Sequence, residues 1–385
     1  MAESVPDLYP FRTEPEYRYY VWGGARLSEL MGKPTGPEGT LAESWEIGDE
    51  ARVAEGPWQG KTLREVDEAT DGGISNGAPH YPNARLPLLI KLSGSAQDLS
   101  VQIHPTDAQA LRDDPERGFP GKTEMYLILD AEPGAGVFWG LRSGVTAEQL
   151  REACTTGRGV TEQINFVPVK VGDVLFSPSG VVHALGKGIV FCEVQQNSDI
   201  TYRLYDWGRM GTDGKPRPLH LDQGIAVLDM SKQRGETIQP LGLPGSGQAL
   251  RHTMLCACRY FAVELLEFSG AGGTDEGTSP ARGARADLAG AGMASAVDLR
   301  RARSSMRGIV VLEGEAAVAA NGRVTVAGRG QSIAVPASLA AAALGTSGRA
   351  RVVLVYEPDL EADVRAPLRS QGYSAEQIAQ LGDLG

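Results

Sequence analysis

One frame is written twice in this chain, and it leaves few folds open. In "GDVLFSPSGVVHALGKG", Gly172 is followed after five residues by Pro178, after one more by Gly180, and after two more by His183. Downstream, Gly330, Pro336, Ser338 and Ala341 keep the same spacing, with alanine where the histidine stood. Gly and Pro at these intervals build the tight turn between two short strands. A chain that repeats the frame predicts two β units of like construction, the first carrying a histidine at the lip of a strand and the second lacking it. The 49 glycines and 23 prolines imply many turns and support a mainly β fold.

At 385 residues, 42% of them hydrophobic, the chain is long enough for two or three cores. Its net charge of −11 and its lack of a basic block argue against a nucleic-acid or anionic-membrane partner. The start of the chain has no basic region followed by an apolar one, and no run of eighteen apolar residues occurs. Four scattered cysteines, Cys154, Cys192, Cys256 and Cys258, suit a reducing compartment, so a cytoplasmic protein is expected. The one-residue gap between Cys256 and Cys258 is that of alternate strand positions rather than of a zinc knuckle.

"ESWEIG" alternates as a strand, and "LPLLIKLSGSAQDLSVQIHP" reads as two strands around a polar turn. Thr106 caps a helix that Pro115 ends, "KTEMYLILD" is a strand, and "VTAEQLREAC" is a short helix. "INFVPVKVGDVLFSPSGVVHAL" and "GIVFCEVQQNSDITYRLYDWGR" each predict a strand pair. "RPLHLDQGIAVLDM" has helical spacing, and "YFAVELLEF" is a strand. Residues 269–290, rich in Gly, Ala and Ser, predict a mobile loop. Short alternating strands follow. "SAEQIAQLGDLG" closes the chain as a capped helix.

Gly-x5-Pro-x-Gly-x2-His resembles the second motif of the cupin superfamily, a double-sheet jelly roll. On the strand "SVQIHP", Gln102 and His104 are two apart and share a face. Glu124 follows on the next strand, after the helix. His104, Glu124 and His183 make a two-His, one-carboxylate set, with Gln102 as a weaker oxygen donor. That set suits catalytic zinc, and equally a non-haem iron oxygenase.

"VWGGARL", "ESWEIG", "LSVQIHP", "GKTEMYLIL", "SPSGVVHALGKG" and "QQNSDITYRLYDWGR" occur in the order found in type I mannose-6-phosphate isomerases of the short bacterial kind, which the chain resembles over most of residues 10–360. The resemblance implies tandem jelly-roll cupin barrels with a small helical insertion, one Zn2+ per chain on Gln102, His104, Glu124 and His183, and Arg203 as the active-site arginine. It implies interconversion of mannose 6-phosphate and fructose 6-phosphate through an enediol. Arg203 keeps its proton and so suits charge stabilisation. The base is sought among Lys122, Glu193, Asp199 and a zinc-bound water. Ser100, Lys91 and Arg209 are the candidates for holding the sugar phosphate.

The expected division is a catalytic metal-binding domain over 1–250, a degenerate C-terminal barrel over 251–360, and a tail over 361–385, in a monomer or homodimer. Two other functions fit the same scaffold: a metal-dependent oxidoreductase, told apart by oxygen dependence, and a sugar-phosphate binding protein without turnover. His220 is read as a packing or capping residue, His80 as a loop residue, and His252 as starting a strand with no partner in the motifs. Trp22 and Trp45 are read as core, and Glu46 as structural or bordering the pocket.

Overall fold

Alternation of period two dominates the architecture. A computed structural model describes residues 5–36, 39–77, 81–211, 213–233, 235–270, 282–339 and 341–385. The chain is mainly β and its strand ladders are antiparallel. A six-stranded sheet runs in the order Val174–Ser177, Glu124–Ala131, Ile189–Gln196, Leu88–Ser95, Glu43–Ile47, Glu16–Arg18. A five-stranded sheet runs Tyr202–Tyr205, Val101–Ile103, His183–Leu185, Gly136–Leu141, Ile164–Pro168.

The predicted strand pairs are not hairpins. Leu88–Ser95 lies in the first sheet and Val101–Ile103 in the second, and Ile189–Gln196 and Tyr202–Tyr205 divide in the same way. "INFVPVKVGDVLFSPSGVVHAL" holds three strands, Ile164–Pro168, Val174–Ser177 and His183–Leu185, shared between both sheets. Each turn therefore carries the chain across a sandwich. Trp22, Tyr126, Ile128, Val137, Trp139, Leu175, Leu185 and Phe191 fill the space between the two sheets.

Both outer faces are covered. Helices Asp107–Asp113, Ala147–Thr156 and Leu221–Ala226 lie over the five-stranded sheet, where Ala110, Leu150 and Cys154 pack on Val101, Ile103 and Leu204. Thr106 and Gln109 form the capping box of the first of these helices, at the predicted start. The far face of the six-stranded sheet, with Ile90, Leu92, Met125, Leu127, Cys192 and Val194, packs against the second half of the chain. Contact there is close: a Cβ on Gly308 would stand 2.3 Å from the Ile90 Cδ1 atom.

The second half repeats the plan. An eight-stranded sheet contains Leu250–Ala257, Ala262–Ser269, Arg349–Tyr356, Arg307–Glu313 and Ser332–Val335, and faces a four-stranded sheet containing Ala343–Thr346 and Glu315–Ala320. Gly330, at φ +77°, opens the second copy of the frame as Gly172, at φ +91°, opens the first. In both copies the chain then crosses from one sheet to the other. The eight-stranded sheet also takes in Phe11–Glu14 and Arg52–Val53 from the start of the chain, so a cut at residue 250 does not follow the sheets.

One local expectation changes, and two are filled in. The Gly/Ala/Ser-rich stretch contains a helix, Arg282–Gly290, because Ala284 and Leu288, one turn apart, bury against Ala317, Ala319 and Ala343; residues 271–281 of that expected loop, like His80, lie outside the described residues. The tail docks: Ser374 caps Ala375–Ala379, and Ile378, Leu381 and Leu384 join the core. His252 has a partner, its Nε2 lying 2.7 Å from Glu264.

That partner anchors a buried ion network. Glu264 also accepts from Arg301 at 2.7 Å and from the Tyr356 hydroxyl at 2.5 Å. Burial alone would raise its carboxyl, but Arg301 and His252 outweigh burial and hold it down at about 2. A depressed carboxyl stabilises the fold above its unfolded value and loses that contribution as pH falls, here from about 4.5 to about 2. The amount is about 3 kcal/mol. Urea unfolding should therefore show the stability gap between wild type and Glu264→Gln narrowing by roughly that much between pH 5 and pH 2. A gap independent of pH would show that Glu264 is not held as an anion.

Candidate active site

Strand register builds the site. Directly opposed residues of neighbouring antiparallel strands share a face. Across the six-stranded sheet the row Glu16, Trp45, Lys91, Glu193, Tyr126 is continuous. Glu124 stands two residues before Tyr126, hence on the same face, opposite Ser177. Across the five-stranded sheet a second row runs Arg203, Gln102, His183, Trp139. The rows meet where Tyr126 and Trp139 pack edge to face at 5.6 Å between centroids.

At this junction three buried donors converge. Glu124 Oε1 is 3.1 Å from His104 Nε2 and 2.8 Å from His183 Nε2, and one ligand atom of each residue lies within 4.8 Å of the others. The far nitrogens fix the tautomers. His104 Nδ1 is 2.8 Å from the Ile200 carbonyl, and His183 Nδ1 is 3.1 Å from both the Val181 carbonyl and the Ser177 hydroxyl. A carbonyl only accepts, so each Nδ1 carries the proton and each Nε2 presents its lone pair to Glu124. Burial, then the Lys122 charge, lowers His104 to about 4, so it is neutral at pH 7. Burial works against ionising Glu124, but the Lys122 ammonium beside it outweighs burial and holds its carboxyl well below the usual range.

The result is a pocket of acceptors. By hydrogen-bond geometry His104 Nε2 and both Glu124 oxygens have no partner, and Lys122 Nζ meets Oε2 as an ion pair at 2.9 Å. Lone pairs facing a carboxylate in a buried site are costly unless a cation lies among them. The residues therefore fit a metal ion. Gln102, directly opposite His183, brings its amide nitrogen to 3.2 Å from His183 Nε2.

Lys91 and Lys122 flank the cluster. Glu193 Oε1 lies 3.2 Å from Lys91 and 3.7 Å from Lys122, bridging the two ammonium groups. Burial raises the Glu193 carboxyl, with Lys91 and Lys122 pulling it back. Burial works against the Lys91 charge, but Glu193 and Glu43 outweigh it and raise its pKa. Ser100 is buried, with Oγ 3.5 Å from the Gln102 Oε1 atom.

Arg203 is clamped from the segment before the helix Leu221–Ala226. Its Nη1 donates to the Pro218 carbonyl at 2.9 Å, its backbone N–H donates to His220 Nδ1 at 3.2 Å, and its carbonyl accepts from the His220 N–H at 2.7 Å. Burial and the nearby Arg217 lower its pKa. His220 stands at the N-cap position of that helix and also fixes the Arg203 backbone.

Two candidates stand apart from the cluster. Asp199 is exposed and lines a cleft of about 460 Å³ with Arg18, Trp45 and Arg64. Arg209 donates to Asp206 and to the Asp98 carbonyl, beside Arg217, and makes no hydrogen bond or ion pair with the cluster among the described residues. Both follow Arg203 or precede it closely in sequence, but the strand Tyr202–Tyr205 is short, and the chain leaves the row on either side of it.

The residues around "ESWEI" also sort differently from the expectation. Trp22 is core, at 4% exposure, whereas Trp45 is half-buried on the site face with Lys91 and Arg18 over its ring. Glu46 points to the opposite face, where it meets Lys33 at 2.5 Å and the Ser332 hydroxyl at 3.0 Å. Period two already held the signal for Glu43 and Trp45 on one face and Ser44 and Glu46 on the other. Nothing local marked Tyr126, Trp139 or Ser177 as walls of the site.

Residues 11–131 match the family model for the catalytic domain of phosphomannose isomerase type I. A mannose-6-phosphate isomerase of Streptococcus mutans is 34% identical over 265 residues, 68% of this chain and 79% of that protein. One from Bacillus subtilis is 35% identical over 266 residues, 68% of this chain and 80% of that protein. The crystal structure of the mannose 6-phosphate isomerase from Bacillus subtilis has a TM-score of 0.73 at 25% identity, covering 90% of this chain and 99% of that chain.

Proposed function

We infer the chemistry of this cleft from one premise: the chain belongs to the type I mannose-6-phosphate isomerase family. It is a mannose-6-phosphate isomerase. The cofactor we propose is one zinc ion per chain, on His104, Glu124 and His183, with the Gln102 amide oxygen as a fourth donor. A zinc ion so held supplies a Lewis acid for the oxygens of the sugar. The observation that carries this reading is the convergence of His104 Nε2, His183 Nε2 and the Glu124 carboxylate in one buried cluster.

Charge balance supports it. In their charged forms Glu43, Glu124 and Glu193 outnumber Lys91 and Lys122 by one. A divalent cation would turn that excess into a net positive site, and Arg203 would add to it. Such a site suits a phosphate dianion in an otherwise acidic protein.

The isomerisation proceeds, in this reading, through an enediol: a proton leaves C2 of the aldose and is delivered to C1, while the hydroxyl proton moves from the C2 oxygen to the C1 oxygen. Glu193 and Lys122, a carboxylate and an ammonium 3.7 Å apart, are assigned to hold and move that proton. Arg203, always charged, is assigned to the oxygen on which negative charge develops. Lys91 and Ser100 are assigned to substrate binding. Asp199 and Arg209 take outer places, at the cleft mouth and in the support of the loop after Arg203. The first sheet pair carries catalysis, and the second pair, with alanine at 341, is structural.

A cytoplasmic location is in keeping with four buried free cysteines. Among the described residues no helix is long and apolar enough to cross a membrane.

The test is a coupled assay with mannose 6-phosphate before and after chelation, with zinc added back. Turnover should vanish with the chelator and return with zinc, with or without oxygen. Full activity in a metal-free sample would overturn the metal assignment, and a strict oxygen requirement would favour an oxidoreductase.

A further inference from the structure

A lysine used to hold a substrate must be held itself. Its four-carbon stem is flexible and loses rotamer freedom when the ammonium is held in one place. Lys91 is 5% exposed, and three groups surround its ammonium: Glu193 at 3.2 Å, Glu43 at 4.0 Å, and the Trp45 indole, whose centroid lies 5.0 Å away. Trp45 and Lys91 are directly opposed across their strands, so the sheet itself sets this contact.

The indole acts twice. Its face meets the ammonium, and its Nε1–H donates at 2.6 Å to Glu43 Oε2, the oxygen that lies 4.0 Å from Lys91. One rigid ring thereby fixes the cation and aims the carboxylate that neutralises it. Arg18 also lies over the ring, at 4.4 Å, and pairs with Glu16, which faces Trp45 across the next strand. The exposed side of the ring borders the 460 Å³ cleft. Trp45 belongs to none of the apolar cores, and its ring neighbours are cations and carboxylates.

We propose that Trp45 is a positioning residue for Lys91, setting the affinity of the site for the substrate phosphate through the ammonium it orients. The proposal rests on the assignment of Lys91 to substrate binding. It predicts an effect on binding rather than on the chemical step, because an orientation lost equally in ground and transition states raises KM and leaves kcat.

The experiment uses the full-length, zinc-loaded enzyme and two readouts: steady-state kinetics with mannose 6-phosphate and calorimetric titration of inorganic phosphate. Trp45→Leu should raise KM about ten-fold and weaken phosphate binding to match, with kcat within about two-fold, as for loss of a partly desolvated cation–π contact. Trp45→Phe, which keeps an aromatic face but loses the N–H, should fall between. In the Lys91→Ala background, Trp45→Leu should add little, since the group it positions is gone. Additive losses, or a fall in kcat at unchanged KM in the folded Trp45→Phe variant, would overturn the positioning role. Lys91→Ala alone tests the underlying assignment: an unchanged KM and phosphate affinity would overturn that assignment and with it the proposal, whatever Trp45→Leu does.

Discussion

Glu124→Gln is expected to strip the enzyme of its metal and to lower kcat/KM for mannose 6-phosphate by about a thousand-fold, the equivalent of about 4 kcal/mol of transition-state stabilisation. Among the described residues Glu124 is the only anion between the two imidazoles, with Oε1 within 3.1 Å of both Nε2 atoms. An amide keeps the shape and loses the charge. It also leaves the Lys122 ammonium, 2.9 Å away, without its nearest counter-ion in a buried site. Removing one partner of a buried pair costs about 3–5 kcal/mol, so the fold should be checked by thermal unfolding. Metal content by atomic emission and kcat/KM on the same sample decide the matter. A folded variant that keeps stoichiometric metal and near-normal turnover would sink the assignment of Glu124.

Arg203→Ala should behave differently. Metal content should stay as in wild type, while kcat falls by about a hundred- to a thousand-fold, the range for loss of one group that stabilises developing charge. Arg203 is opposite Gln102 in the register, two places from His183 in its row, yet it touches none of the three buried donors. Arg203→Lys keeps the charge without the planar fork and should recover only part of the loss. Activity unchanged in the folded, metal-loaded alanine variant would remove Arg203 from the chemistry and reduce it to the strand-end contact with Pro218.

What the sequence disclosed divides along physical lines. Gln102, His104, Glu124 and His183 were legible because period two and the Gly/Pro frame are local rules, and the structure brings His104, Glu124 and His183 together. The sheets were less legible. Strands joined by a short polar turn look like hairpins, and only packing shows that the turn after Leu88–Ser95 crosses to the other sheet. The bridge from Lys91 to Glu193 depends on pairing between segments about a hundred residues apart, which no window along the chain reveals. Trp45 was read as core because large aromatics usually are, and its cationic neighbours come from two other strands. Asp199 is a candidate for its place four residues before Arg203 and Arg209 by resemblance alone; Asp199 is exposed at the cleft mouth, and Arg209 is taken up by Asp206 and the Asp98 carbonyl.

The strand Phe11–Glu14 pairs with Ser332–Val335, Phe11 opposite Ala334 and Arg12 opposite Ile333. During synthesis the first strand leaves the ribosome long before its neighbour exists. The strand Phe11–Glu14 therefore waits, unpaired on this edge, until Ser332–Val335 has been made about 320 residues later. Closure of that very long loop belongs to the last stages of assembly, when entropy has already been spent on local pairs. The strand Phe11–Glu14 acts as a clasp, and ribosome-bound chains halted before Ser332 should remain open to proteases around Phe11 while chains extended past Val335 are not.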